Sequence, residues 1–403
     1  MSIKPVLEDR LAPIGSVSLD TEALIREARR LRRRRWAVRV SLVVAVAVAG
    51  ISYGIVSGSG RAALPSHQLK ASHGKQAPAA TLPAGPKVTL DVAGSLAVGP
   101  SGALYVAEPN EHRILVRLGT GAFRVVAGTG IAGYSGNGDK AVDAKLFNPT
   151  NLTFDERGDL FFVDGGRVRE IRADGVIVTV AGDGSTTSPA LSPPVATVAN
   201  NTPALAASFH SVPSIALGPS GTLYIVTNTQ LLRMTKSDRL DTIRTHRDSF
   251  GHVPRMPTSL NEGLTTLAVA NNGGIYVSGF NGWAIWYVAP NGRATYVGYD
   301  RGSGGTFPDL TRGPSGVVYA DNGGGIVRLD PKGLIPVDPM VKVDGQYFSG
   351  TYFAFGPRGA LYADETPGNI GFERRQELVS VRNGHTKILW TESESVAKRH
   401  TQL

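Results

Sequence analysis

Four carboxylates end short apolar-aromatic segments: Glu108 after LYVA, Asp164 after LFFV, Asp321 after VVYA and Asp364 after LYA. Carboxylates that recur at one place in successive strands would ring a central axis and could hold a metal ion or a basic ligand. The same groups at strand ends also accept hydrogen bonds from loop backbone. Two of the six repeats in the chain lack the acid, which favours the capping role. His112 follows Glu108 closely and joins these four as a candidate ligand contact. Trp283 and Trp286 are three residues apart, so on a strand they point to opposite faces; Trp283, nearer the loop side, is the candidate binding aromatic. Gly136-Asn137-Gly138-Asp139 lacks the spacing of a calcium loop and reads as a turn.

Other chemistry is thinly represented. The 403 residues contain no cysteine, which excludes disulfides, Cys-ligated metals and thiol catalysis. There is no G-x-S-x-G, H-E-x-x-H or phosphate-binding loop. Of the histidines His112, His210, His246, His252 and His385, no two occupy matching repeat positions. No catalytic residue, metal or cofactor is expected.

The elements that position these side chains recur six times. The pattern is a strand of alternating small and apolar residues, a glycine turn, then an aromatic strand: SLAVGPSGALYVAE, NLTFDERGDLFFVD, SIALGPSGTLYIVT, TLAVANNGGIYVSG, DLTRGPSGVVYADN and YFAFGPRGALYADE. The turn glycines are Gly102, Gly158, Gly221, Gly273, Gly316 and Gly359. Three residues on stand Tyr105, Phe161, Tyr224, Tyr276, Tyr319 and Tyr362. Small residues (Ala97, Thr153, Ala216, Ala268, Thr311, Ala354) suit a strand crowded against an axis. Arg312 departs from the apolar rule of the first strand. Two further strands follow in each unit, joined by turns such as Asp174-Gly175 and Asn291-Gly292. Six four-stranded antiparallel meanders predict an all-β, six-bladed β-propeller. KVTLDV (87–92) is a candidate strand to complete the last blade.

The segment VAGTGIAGYSGNGDKAVDAKLFNPTNLTFDERGDLFFVD (126–164) resembles an NHL repeat, and VAGDG at 180–184 is a weaker echo. The resemblance, to bacterial members above all, covers about residues 88–390. It implies the propeller fold and leaves activity open. Similar propellers serve as extracytoplasmic sensor domains of some actinobacterial kinases, as protein- or RNA-binding modules, and in a few lyases. The lyases hold a central metal with histidines, and the resemblance carries none of those onto this chain. Fewer than 40 residues precede the apolar run described next, too few for a kinase.

The net charge of +9 is concentrated at the N-terminus. Residues 1–39 carry ten basic and five acidic side chains, residues 40–86 three basic and no acidic, and residues 87–403 29 basic and 28 acidic. A near-neutral propeller argues against nucleic-acid binding. Arg29, Arg30, Arg32, Arg33, Arg34 and Arg35 precede a charge-free apolar run from Val40 to Val56. Arginine-rich flanks stay in the cytoplasm, so this reads as an uncleaved signal anchor. The expected organisation is a basic cytoplasmic tail with a short helix (1–36), a transmembrane signal anchor (37–57), a flexible linker (58–86), the extracytoplasmic propeller (87–395) and a C-terminal tail (396–403). The long loops (129–150, 183–213, 247–265, 301–308, 340–351 and 364–376) fall on one propeller face, where partner contacts are expected. The expected function is a membrane-anchored binding or sensor module for a protein or cell-envelope ligand. The alternative is a metal-dependent lyase or lactonase working in the channel.

Overall fold

In the computed structural model the described residues are 82–185, 197–209, 211–227, 230–247, 264–279, 284–299, 309–321, 326–336, 342–343, 346–347, 350–356, 360–365, 377–382 and 385–391. The arginine cluster, the apolar run, linker residues 58–81, His210, His252, Trp283 and Gly359 lie outside them. Residues 82–86, assigned to the linker from sequence, pack on the propeller: Leu82 is buried in the core between blades one and two, and Gly85 N donates to Val125 O at 2.7 Å. Among the described residues no helix is long and apolar enough to cross a membrane.

Six sheets, each built on four antiparallel strands in sequence order, follow one another along the chain, and a two-stranded sheet of Lys342–Val343 and Gln346–Tyr347 stands between the fifth and sixth in sequence. Blade one comprises Ser95–Val98, Leu104–Glu108, Arg113–Arg117 and Phe123–Ala127. Blade two comprises Pro149–Phe154, Leu160–Asp164, Arg167–Ile171 and Ile177–Ala181. Blades three and four begin at Ser214–Leu217 and Leu267–Val269, blades five and six at Leu310–Arg312 and Gly350–Phe355. Each of these first strands packs against the next, and the first meets the last, which closes the ring.

The glycine turn has two separate causes. In Gly99-Pro100-Ser101-Gly102 the Gly102 N–H donates to Gly99 O (2.9 Å), and Gly102 sits at φ +84°. This is a tight turn whose last residue is left-handed, which glycine adopts without steric cost. Gly99 is needed for space instead. A Cβ there would lie 2.9 Å from the Tyr105 ring, and Gly313 stands in the same relation to Tyr319 at 2.6 Å. The ring that crosses this glycine continues into the next blade. Tyr105 meets Phe154 with centroids 4.8 Å apart, and Tyr319 meets Phe355 at 4.6 Å. The aromatic ladder is therefore inter-blade packing, each such pair adding about 0.5–1.5 kcal/mol beyond area burial.

Closure uses no shared strand. Lys87–Val88 pairs antiparallel with the outer strand of blade one (Lys87 opposite Arg124), and blade six supplies four strands of its own. KVTLDV thus extends the first blade, not the last. The seam between blades one and six is closed by apolar contact, with Leu90, Ala93 and Leu96 in one cluster with Ala354 and Leu378. Outer edges are covered in other blades too. Thr202–Pro203 pairs with Arg239–Thr242, and His246–Arg247 runs parallel to Arg293–Tyr299. In blade two the loop does this work: Gly138 N donates to Ile177 O (2.7 Å) and Ile177 N to Asp139 O (2.9 Å). Covered edges leave fewer open templates for stray strand pairing.

Candidate functional site

Along the axis, the first strands of all six blades line a cavity of about 570 Å³. The small residues Ala97, Thr153, Ala216, Ala268, Thr311 and Ala354 are on its wall, as their size required. Toward the glycine-turn side the lining includes Glu156, Asn271 and Arg312. Arg312 is exposed and donates to Asn271 Oδ1, linking blades five and four where other blades place an apolar side chain.

Seven residues before each turn glycine, on or beside the first strand, stands a polar residue: Ser95, Asn151, Ser214, Thr266, Asp309 and Tyr352. Five of them reach into an adjacent blade. Leu152 N donates to Ser95 Oγ (3.0 Å), Asn151 Nδ2 to Pro213 O (2.8 Å), Leu267 N to Ser214 Oγ (3.3 Å), and Leu310 N to Thr266 Oγ1 (3.4 Å). Asp309 accepts from Phe353 N–H, and burial pushes its carboxyl up to about 7. These latches stitch successive blades with hydroxyl and amide groups, and with a carboxyl at Asp309.

None of the four sequence-singled carboxylates lines the cavity. The structure also splits them. Glu108 and Asp164 end their strands in matching positions, the fifth residue of each. Asp321 is the fourth residue of Val318–Asp321 and Asp364 the fourth of Leu361–Glu365. An offset of one residue on a strand reverses the face, so the four do not form a single ring. All four are buried.

Glu108 and Asp164 each clamp a loop. Glu108 accepts from Asp91 N–H and pairs with Arg113 Nε at 2.5 Å. Asp164 accepts from Phe147 N–H at 2.6 Å and pairs with Arg169 Nη1 at 3.3 Å, while Arg169 Nη2 donates to Ser135 O at 3.0 Å. Side-chain exposure is 1% for Asp164 and 0% for Arg169. Burial raises the Asp164 pKa and lowers that of Arg169 in spite of their pairing. For both groups, then, desolvation outweighs attraction. Among the described residues no group of three His, Asp or Glu side chains is arranged to hold a metal ion.

What this clamp holds is the long loop 129–150. Gly128 N donates to Ala141 O (3.0 Å) and Thr129 N to Ala144 O (2.9 Å). The second loop repeats this with Gly182 N to Ala204 O and Asp183 N to Ala207 O, both 2.9 Å. So the VAG-x-G signature and the alanines downstream form one folded loop motif, used twice. On its outer side stand side chains that the carboxylate pattern does not reveal. Ile131 is 57% exposed, Tyr134 43%, Phe147 48% and, on the second loop, Leu205 59%. Phe147 stacks on His112 (centroids 6.0 Å, 9° between planes), whose Nδ1 accepts from Asn148 N–H at 3.4 Å. The Arg167 guanidinium lies 3.8 Å from the Tyr134 ring centroid. His112 is therefore brought beside the loop aromatics. Trp286 is buried against Tyr296, a core position. Apolar residues inside a Gly-rich polar loop were the available signal for Ile131, Tyr134 and Phe147.

Comparison with known proteins agrees with this reading of the repeats. The family described as the Teneurin NHL domain matches residues 120–244, a stretch that contains both folded loops. Teneurin-3 of Mus musculus is 37% identical over 107 residues, covering 23% of this chain and 4% of that protein. Teneurin-4 of Homo sapiens is 28% identical over 209 residues, covering 45% and 7%. The chain thus spans less than a tenth of the length of these relatives. A solved streptogramin B lyase shares 11% identity at a TM-score of 0.46, covering 76% of this chain and 86% of that one. Residues 120–244 are thus similar to NHL repeats of known proteins, and the six blades form a β-propeller.

Proposed function

We propose that the propeller is a binding module, displayed outside the cell by the anchor at 37–57, whose long-loop face engages a protein or cell-envelope ligand. One observation carries the binding reading. Four large apolar side chains, two of them aromatic, stand exposed on loops held to the blades by buried carboxylates and backbone bonds. Exposed apolar groups on rigidly held loops mark interaction surfaces, and aromatic and arginine side chains dominate binding energy where they become buried. Glu108, Asp164 and His112 support that face from beneath, while Asp321, Asp364 and Trp283 remain candidates for it. The axial cavity leaves room for the alternative, a metal-dependent lyase or lactonase, which requires stoichiometric metal in the purified chain.

The test is photo-crosslinking from position 147 in membranes, comparing the wild type with Tyr134→Ala/Ile131→Ser. Both proteins should stay folded, the variant losing about 1–2 kcal/mol because the Tyr134 hydroxyl bonds Thr179 (2.9 Å) and its ring carries the Arg167 guanidinium. Crosslinked partner should fall about tenfold or more in the variant. Equal recovery would remove the loop face as the binding surface. The anchor has a separate test: a reporter fused after Leu403 should be active only outside the cytoplasm, and neutralising Arg29–Arg35 should scramble that orientation.

A further inference from the structure

We propose that Asp309 is a proton-holding latch, neutral in the folded protein, that makes the seam between blades five and six sensitive to pH. The first support is a proton count. The Thr311 hydroxyl lies 3.1 Å from Asp309 Oδ2 and 3.0 Å from Phe353 O. A hydroxyl carries one proton. Against an ionised Asp309, that proton can serve either the carboxylate or the Phe353 carbonyl, and one short contact is left between two acceptors. If Asp309 carries the proton, both contacts are satisfied: Asp309 O–H donates to Thr311 Oγ1, and Thr311 O–H donates to Phe353 O. The second Asp309 oxygen is then free to accept from Phe353 N–H. Phe353 is the buried fourth residue of the first strand of blade six, so this relay ties blade to blade.

The second support is the company of the latch. The equivalent position is Ser95, Asn151, Ser214 and Thr266 in blades one to four, all uncharged, and blade two uses an amide where blade five has a carboxyl. From its own blade, Asp321 stands opposite Asp309, one step beyond the Leu310–Ala320 pair. From blade six come Tyr352 and, one step beyond the Phe353–Ala363 pair, Asp364. Burial raises the Tyr352 hydroxyl first of all, and the Asp309 and Asp364 carboxyls lie near enough to act on it as well, which places the three groups in one neighbourhood. From blade four, Thr266 contributes only its hydroxyl. The described groups facing Asp309 are thus acidic or neutral. No cation among them offsets the loss of water around the carboxyl, and it is this burial that raises its pKa to about 7, against the hydrogen bonds from Thr311 and the backbone that act to lower it.

The sign follows. The folded carboxyl holds its proton above the range where an unfolded one, near 3.8, has released it. Between those limits the folded state binds more protons, so stability falls as pH rises and levels off above neutrality. The test is the urea unfolding of the full chain between pH 5 and pH 8, compared with Asp309→Asn. Asparagine accepts from Phe353 N–H and donates to Thr311, as it would if mimicking the protonated acid. The wild-type folding constant should drop by up to about tenfold per pH unit from pH 5 toward pH 7 and flatten between pH 7 and pH 8. Asp309→Asn should lose that part of the slope and be the more stable protein at pH 8. If Asp309→Asn keeps the full wild-type slope, or is the less stable protein at pH 8, the latch is wrong. Should the variant fail to fold, the Asp309 carboxyl of the wild type can be titrated directly by its ¹³C shift. A midpoint near neutrality supports the proposal, and ionisation complete by pH 5 overturns it.

Discussion

Removing the Asp164 carboxylate should be among the most damaging single changes in blade two. In Asp164→Ala two partners lose their acceptor. The Phe147 N–H, bonded at 2.6 Å, is left without it, and the Arg169 guanidinium, fully buried, loses its one carboxylate and keeps its bond to Ser135 O and its place over the Tyr134 ring (4.9 Å to the centroid). An uncompensated buried charge costs about 3–5 kcal/mol, and the lost amide bond adds about 1 kcal/mol. The expected loss is therefore about 4–6 kcal/mol. The pair is nonetheless an unfavourable way to fill this space, since burial pushes both groups toward their neutral forms. The double variant Asp164→Leu/Arg169→Met should then recover most of the stability. Its loop should loosen all the same, because Phe147 N–H still lacks an acceptor. Urea unfolding of both proteins, with amide exchange at Phe147, separates the two effects. A loss below about 1 kcal/mol in Asp164→Ala, or a double variant no better than the single, would refute the claim that this carboxylate clamps the loop.

Two contrasts test the backbone reading. Gly182→Ala should cost well over 2 kcal/mol, since a left-handed residue there would also drive its Cβ into Gly166 O. Gly221→Ala has the same left-handed φ but open space around it, so only the conformational cost of about 1–2 kcal/mol should appear in urea unfolding. Tyr105→Phe keeps the ring against Phe154 but removes the hydroxyl that accepts from Leu82 N–H at 3.0 Å. It should cost about 1–3 kcal/mol and free the segment around Leu82, visible as faster amide exchange there.

The repeat was legible because it is local. Alternation of small and apolar residues, a turn glycine and an aromatic three residues later are requirements of neighbouring atoms, and the structure keeps all three. Even the first glycine of Gly-Pro-Ser-Gly was readable in principle, since it recurs with the tyrosine six residues on, whose ring needs its missing Cβ. The four carboxylates were less legible. Counting from the turn put them at or near one place. A one-residue offset at Asp321 and Asp364 sends these two to the opposite face from Glu108 and Asp164, and a pattern read with a tolerance of one residue cannot see that.

Composition and spacing by themselves determined that this is a six-bladed propeller with an arginine-flanked apolar run far from it in the chain. They did so because strand period, turn chemistry and charge segregation depend on short stretches of sequence. Tertiary structure decided which groups face each other across the seams. The loop clamps, the exposed aromatics beside His112, the hydroxyl and amide latches and the position of Asp309 all join residues 17 to 62 apart. Those contacts are set by how one blade lies on the next. Each blade is specified by its own residues, but a buried carboxyl acquires its protonation state only from the neighbours that the closed ring brings to it.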